Sequence, residues 1–151
     1  MKTIPTLLLA LGLLGATAAA QAAPNCTVKL KANDAMQFDL KTATVSASCP
    51  KITIELAHTG KLAANVMGHN VVFSHTADMA AVNAAALKAG AAAGYVPKDA
   101  KVVAATKTIG GGQSTSISFP GNKLKAGGDY SYFCSFPGHS SLMQGKLVVT
   151  K

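Results

Sequence analysis

Residues 130–150 read YSYFCSFPGHSSLMQGKLVVT, and this stretch decides how the rest of the chain is interpreted. Its alternating start predicts a strand over residues 130–134, and its apolar end predicts another over residues 146–150. Between them lies a loop of residues 134–143, called the ligand loop below. The prediction is two strands joined by a loop that carries chemically distinctive side chains.

The ligand loop holds Cys134, His139 and Met143 at the spacing Cys-x4-His-x3-Met. A thiolate, an imidazole and a thioether form a soft donor set that favours copper. A second imidazole must come from elsewhere, and His69, which follows Gly68 and opens an apolar run, is the best candidate. Two His, one Cys and a weak Met are the donor pattern of an electron-transfer copper site.

The preceding chain also divides into short strands separated by turn residues. The predicted strands are residues 26–31, 36–40, 51–57, 69–74, 101–106 and 114–119. Clusters of glycine, proline and asparagine lie between several of them. Many short strands with such turn signals predict an all-β fold, an antiparallel Greek-key sandwich or barrel.

One segment, at about residues 77–90, lacks strand alternation and is rich in alanine. It predicts a single helical insertion, with Thr76 capping its start and Gly90 ending it. Four apolar residues at helical spacing predict the buried stripe: Met79, Val82, Ala86 and Leu87.

Residues 1–22 predict a signal peptide. Lys2 precedes an apolar run over residues 4–14, and the run ends in the small-x-small sequence Ala20-Gln21-Ala22. The run is shorter than the roughly 20 residues that span a bilayer. The alternative is an uncleaved N-terminal anchor. Cleavage leaves residues 23–151 as one exported domain.

The three cysteines fit an exported protein, in which two pair and one is left over. The economical assignment pairs Cys26 with Cys49 and leaves Cys134 free. A free thiol is a liability in an oxidising compartment unless a metal protects and uses it. The cysteine count therefore also indicates a metal at Cys134.

The formal net charge is +8, and every basic side chain is a lysine because the sequence has no arginine. Recognition of nucleic acid relies on arginine and on stacking aromatics, so this composition argues against it. Scattered lysines suit a solvated surface, and they also attract acidic partners.

From Cys26 onward the chain resembles the azurins, a branch of the cupredoxin family. The resemblance rests on Cys26 with Cys49, on residues 65–70 (NVMGHN), on the helical insertion and on the ligand loop. It implies a cupredoxin fold with the Cys26–Cys49 disulfide, and it covers nearly all of residues 23–151.

The resemblance also implies a ligand set for one copper ion. His69, Cys134 and His139 would hold the ion, with Met143 and the backbone carbonyl of Gly68 as weak axial contacts.

Three neighbouring residues gain roles by the same resemblance. Asn70 would tie the two ligand-bearing loops together, Phe136 would line the site, and His58 would lie near the metal without binding it.

An apolar surface is implied where the edge of the His139 ring reaches solvent. We define the docking patch as Leu62, Val66, Met67, Phe136, Pro137 and Leu142. For Leu62, a core position and a surface position are both open. A modest apolar patch near lysines suits brief, salt-sensitive docking.

Together these features predict a monomeric, periplasmic single-electron carrier that cycles between Cu(I) and Cu(II). The resemblance implies redox partners such as c-type cytochromes, copper nitrite reductase or amine dehydrogenases. No nucleophile–base pair accompanies the site, so no enzyme activity is expected. The alternatives are a periplasmic copper storage or delivery protein and, less favoured, a copper or zinc enzyme.

Overall fold

The computed structural model describes residues 23–151, so the predicted signal peptide lies outside the described residues. The strands are β1 Thr27–Asn33, β2 Gln37–Phe38, β3 Thr42–Ser46, β4 Lys51–His58, β5 Val72–His75, β6 Ala104–Ala105, β7 Ser114–Pro120, β8 Tyr130–Phe133 and β9 Gln144–Thr150. The helices are α1 Ala64–Met67 and α2 Met79–Ala89. No helix in this described part is long and apolar enough to span a membrane.

The strands form two sheets that enclose one main apolar core. One sheet has the order β2-β1-β4-β7, and the other has the order β3-β9-β8-β5-β6. The all-β sandwich prediction is confirmed. The antiparallel prediction is wrong for β1–β4 and β3–β9, which pair in parallel. Because the chain visits the other sheet at β3 before it returns as β4, β4 can lie beside β1 in the same direction.

Strict alternation along the strands builds the core. In β4, Ile52, Ile54 and Leu56 are buried, and His58 follows them on the same face. Val28 and Leu30 of β1 are buried in register with β4. Burial of each such aliphatic side chain stabilises the fold by roughly 1.5–3 kcal/mol. The period of two therefore places His58 inside the sandwich, at the end where β4 leaves the sheet.

Three strand predictions were wrong in extent, and one strand was missed. Of predicted residues 36–40 only Gln37–Phe38 form a strand. Of residues 101–106 only Ala104–Ala105 pair, and of residues 69–74 the strand proper begins at Val72. His69 makes a single antiparallel bridge with Ile109 instead. The missed strand, β3, has the sequence TATVS, whose small and polar residues give a weak apolar signal. Hydrogen-bonded pairing with β9 holds this segment as a strand, although its composition favours a strand only weakly.

The helical insertion is confirmed, although its start differs from the prediction. A 3₁₀ turn, Thr76–Asp78, precedes α2, and the Thr76 hydroxyl donates to the Asp129 carboxylate at 2.8 Å instead of capping the helix. Gly90 ends the helix as expected: its φ is 72°, and its N–H donates to the carbonyl of Ala86. Glycine adopts such a positive φ readily because it has no Cβ.

The buried apolar stripe of α2 includes fewer residues than predicted. Val82 and Ala86 are buried, and Val82 packs with Val72 of β5 and Phe133 of β8. Met79 is partly buried against the same cluster, whereas Leu87 is 47% exposed. The helix therefore contacts the outer side of the five-stranded sheet through its first turns.

The predicted disulfide between Cys26 and Cys49 is confirmed. It joins the segment before β1 to the segment before β4, and Cys134 remains a free, buried thiol. The disulfide therefore encloses the part of the chain that first passes from one sheet to the other.

We predict that replacing both bridging cysteines by alanine lowers the free energy of unfolding by about 3 kcal/mol. The bridge spans 23 residues, and in the chain-entropy model a loop of that size restricts the unfolded chain by about that amount. Urea denaturation of the metal-free protein measures the change. Wild-type protein with the bridge reduced should match the variant, and equal stability of the variant and the oxidised wild type would contradict the prediction.

Candidate metal centre

Three side chains from two segments of the chain meet at one end of the sandwich. His69 precedes β5, whereas Cys134, directly after β8, and His139 both belong to the ligand loop. The Cys134 Sγ lies 3.9 Å from Nδ1 of His69 and 3.6 Å from Nδ1 of His139. All three residues are buried, and their donor atoms lie within 4.8 Å of one another. The arrangement is one compact His–Cys–His cluster.

These spacings fit a metal ion that lies between the three atoms. First-row metals bind imidazole nitrogen at about 2.0–2.1 Å and thiolate sulfur at about 2.3 Å. In a trigonal site, with about 120° between ligands, such bonds put nitrogen and sulfur about 3.8 Å apart. The two measured separations lie on either side of that distance, so the side chains could bind an ion with little movement.

The His69 ring is oriented by its other nitrogen. Nε2 lies 2.9 Å from the backbone carbonyl of Asn33, so Nε2 carries the proton and donates it. Nδ1 then presents its lone pair toward the sulfur. Metal-binding histidines commonly hold their second nitrogen in this way, which fixes both the tautomer and the ring plane.

Met143 and Gly68 lie beside this cluster. The carbonyl oxygen of Gly68 is 3.8 Å from the Cys134 Sγ. Met143 is fully buried. Its carbonyl accepts the N–H of Cys134 at 3.0 Å, and its own N–H donates to the carbonyl of His139 at 2.8 Å. These backbone bonds close the ligand loop on itself, so Cys134, His139 and Met143 are held by one turn.

Burial sets the protonation of the metal-free cluster. It raises the pKa of the Cys134 thiol to about 11, although the N–H groups of Asn70 and Phe136 act in the opposite direction. Burial also lowers the pKa of His69 to about 4, and it lowers the pKa of His139. At neutral pH the site therefore holds two neutral imidazoles and a thiol. Binding of a metal cation would release the thiol proton.

Asn70 connects three loops through its side chain. Its Oδ1 accepts the N–H of Ser135 at 2.9 Å, and its Nδ2 donates to the carbonyl of Gly94 and to the Thr108 hydroxyl, each at 3.2 Å. Nδ2 also donates to the Ser135 hydroxyl at 2.9 Å. The His69 segment and the ligand loop are thus joined directly, next to Cys134. Sequence reasoning missed Gly94, Thr108 and Ser135, because no local pattern marks residues that meet only through tertiary structure.

Two further aromatic rings pack against the cluster but offer it no metal-binding atom. The ring of Phe136 lies 4.8 Å from that of His139, centre to centre. The ring of His58 lies 4.3 Å from that of His69. Both nitrogens of His58 are already occupied: Nδ1 accepts the N–H of Gly60, and Nε2 donates to the carbonyl of Met67. His58 therefore supports the fold beside the cluster.

The docking patch lies largely open to solvent. Its exposed fractions are 59% for Val66, 54% for Leu142 and 41% for Leu62. Pro137 is exposed, and Met67 and Phe136 are half-buried. His139 keeps only 3% of its surface exposed. At most an edge of its ring reaches solvent, so the ring is covered on nearly every side.

A buried His–Cys–His cluster in a β-sandwich, with a methionine in the same loop, defines a small protein with one mononuclear soft-metal centre. The comparison with protein families agrees. Residues 24–150 match the model described as copper binding proteins, plastocyanin/azurin family. The chain belongs to this family of copper-binding proteins.

Similar individual proteins are azurins. The chain is 54% identical over 123 residues to azurin-1 of Alcaligenes xylosoxydans xylosoxydans, which covers 81% of this chain and 95% of that protein. It is 49% identical over 138 residues to azurin of Bordetella pertussis, covering 91% and 92%. It is 44% identical over 143 residues to azurin of Pseudomonas aeruginosa, covering 94% and 97%. The resemblance predicted from the sequence is confirmed, as is copper as the cofactor.

We predict that Asn70→Ala lowers the free energy of unfolding of the metal-free protein by about 3 kcal/mol. The substitution leaves the Ser135 N–H without its acceptor in the interior, and it removes bonds to two further loops; each unsatisfied buried group costs about 1–3 kcal/mol. Urea denaturation measures this. The control is Asn65→Ala at an exposed position, which should change stability by less than about 0.5 kcal/mol. Equal effects of the two substitutions would show that the network is not structural.

Proposed function

We propose that this chain is a periplasmic single-electron carrier with one copper ion bound by His69, Cys134, His139 and Met143, close to the Gly68 carbonyl. The mature protein would comprise residues 23–151 after removal of residues 1–22. The observation that carries the proposal is the spacing of the Cys134 sulfur from the two Nδ1 atoms, inside a buried site of a copper-binding family.

Copper, when bound, supplies a centre that takes up or releases one electron by changing between Cu(I) and Cu(II). Groups of the protein would keep the ligand geometry nearly constant. The carbonyl of Asn33 fixes the His69 ring, and the Asn70–Ser135 bonds fix the start of the ligand loop. A site with thiolate and thioether ligands favours Cu(I), and imidazoles accommodate either state. Little rearrangement of these side chains would then accompany electron transfer.

His139 and the docking patch provide the route to partners. The buried ring of His139 contacts Phe136, which belongs to the patch. An apolar partner surface placed there would exclude water and shorten the distance to the metal. Interfaces of this kind are small and short-lived, as a carrier that must leave after each transfer requires.

The family and the N-terminal sequence support the proposed partners and location. Similarity to azurins supports c-type cytochromes, copper nitrite reductase or amine dehydrogenases as partners, met by a monomer. The N-terminal sequence and the disulfide support export to the periplasm. Nothing in the arrangement of donors calls for substrate chemistry, because a full set of protein ligands would leave no position for a substrate on the metal.

A periplasmic copper store or delivery protein is the alternative function. Such a protein needs donors that exchange metal readily. Here Cys134 and Met143 have no exposed surface, and His139 is nearly covered. Burial of every donor slows exchange, so it favours a resident metal.

We predict that the purified protein, after addition of Cu(II), shows an intense blue thiolate-to-copper absorption band and narrow copper hyperfine splitting in its electron paramagnetic resonance spectrum. Cys134→Ser should abolish both, because the band arises from the sulfur. Ser141→Ala, at an exposed position of the same loop, should keep both. A pale Cu(II) spectrum that does not depend on Cys134 would refute the proposed site.

We further predict that copper stays bound while its oxidation state changes. The protein is reduced and reoxidised repeatedly in the presence of a chelator, and copper is assayed after dialysis. A carrier should keep close to one copper per chain through all cycles. Loss of most of the copper to the chelator during the reduced phase would favour the storage or delivery function instead.

A further inference from the structure

Two lysines stand on either side of the ligand loop, at the two edges of the five-stranded sheet. In that sheet, β3 and β6 are the edge strands, and β8 and β9, which the ligand loop connects, lie between them. Lys41 comes directly before β3, and Lys107 comes shortly after β6.

The strand directions put both lysines at the metal end. β3 runs parallel to β9, which begins directly after the ligand loop, so the start of β3 is at the loop end. β6 pairs antiparallel with β5, which begins after His69, so the end of β6 is at that same end. Lys41 and Lys107 therefore flank the site from opposite edges of the sheet.

Each lysine also lies close to a part of the docking patch. Nζ of Lys41 donates to the backbone carbonyl of Leu142 at 3.3 Å. Lys107 lines a surface groove of about 760 Å³ together with Phe136, and it is the single charged residue in that lining. Both lysines are exposed.

No acidic side chain within residues 23–151 forms an ion pair with either of these lysines; the lysine ion pairs found there involve Lys29, Lys101 and Lys146. Asp39, two residues before Lys41, and Asp34, whose carboxylate contacts the Leu62 segment, have carboxylates that accept backbone N–H groups. The Asp39 carboxylate accepts the N–H of Lys31, and that of Asp34 accepts the N–H groups of Lys61 and Leu62. The positive charges of Lys41 and Lys107 are thus available to pair with acidic groups of a partner protein. The net charge of the whole chain, +8, favours the approach of such a partner.

We propose that the docking patch receives proteins whose contact surface is apolar at its centre and carries carboxylates at its border, which pair with Lys41 and Lys107. This inference rests on the proposed electron-carrier function and names the chemistry of its partners. The apolar centre would cover Leu142 and Phe136, and the two cations would fix the orientation of the partner and speed its approach.

The test uses the copper-loaded, reduced protein and a c-type cytochrome in two forms. In one form the surface lysines are succinylated, which makes it carboxylate-rich, and the other is the untreated basic cytochrome. One electron passes from the reduced copper site to the ferric haem, with no proton transferred, and stopped-flow absorbance gives the bimolecular rate constant. An ionic strength of about 0.1 M limits the reach of each charge to about 10 Å.

The double variant Lys41→Glu/Lys107→Glu should react with the succinylated cytochrome about tenfold more slowly than wild type, and faster than wild type with the basic form. The neutral variant Lys41→Gln/Lys107→Gln should give intermediate rates. The control, Lys51→Glu/Lys125→Glu, makes the same change in net charge at the start of β4 and before β8, at the far end of the sandwich, and should react nearly as wild type does.

Equal rates for the test and control variants, with wild type active, would overturn the docking proposal and leave the carrier function intact. A wild-type protein that transfers electrons to neither cytochrome would overturn the carrier function, and the docking proposal with it. The two failures are therefore distinguishable.

Discussion

The hydrogen bonds of Asn70 are the constraint on which the metal centre depends. His69 precedes β5 and Cys134 follows β8, so the two residues lie on different segments at one end of the same sheet. The bond from the Ser135 N–H to the Asn70 side chain, 2.9 Å long, joins these segments within one residue of both His69 and Cys134. Within residues 23–151, every buried side-chain nitrogen or oxygen has a hydrogen-bond partner. A polar interior that is fully paired is rigid, because any displacement leaves a group unsatisfied.

Both sheets of the sandwich support the link between the His69 segment and the ligand loop. Antiparallel pairing of β5 with β8 sets the approach of the two ligand segments, and the β8–β9 pairing closes the ligand loop. From the other sheet, β1 ends at Asn33, whose carbonyl orients the His69 ring, and β4 ends at His58, which packs against that ring. Both sheets thus contribute to the position of the His69 ring. The cluster is built by the ends of strands whose own order comes from the apolar core.

Much of this arrangement could be predicted from the sequence, since the decisive signals are local. The spacing of Cys134, His139 and Met143 is a property of one loop, and the cysteine count suggested the disulfide without any knowledge of the fold. The strand period of two identified most of the strands. The features that could not be predicted depend on contacts between residues that are far apart in the sequence. β3 is a strand because β9 lies beside it, Thr76 bonds Asp129 instead of capping the helix, and the contacts of Asn70 with Gly94 and Thr108 arise only on folding.

The central claim is that the folded protein imposes one ligand geometry on both oxidation states of copper. X-ray absorption spectroscopy of the copper-loaded protein, measured once as Cu(II) and once as Cu(I), tests it most directly, because it reports metal–ligand distances in each state. We predict the same two imidazole nitrogens and one sulfur in both spectra, with distances that change by less than about 0.1 Å. Loss of an imidazole on reduction, or a water oxygen gained on oxidation, would contradict it.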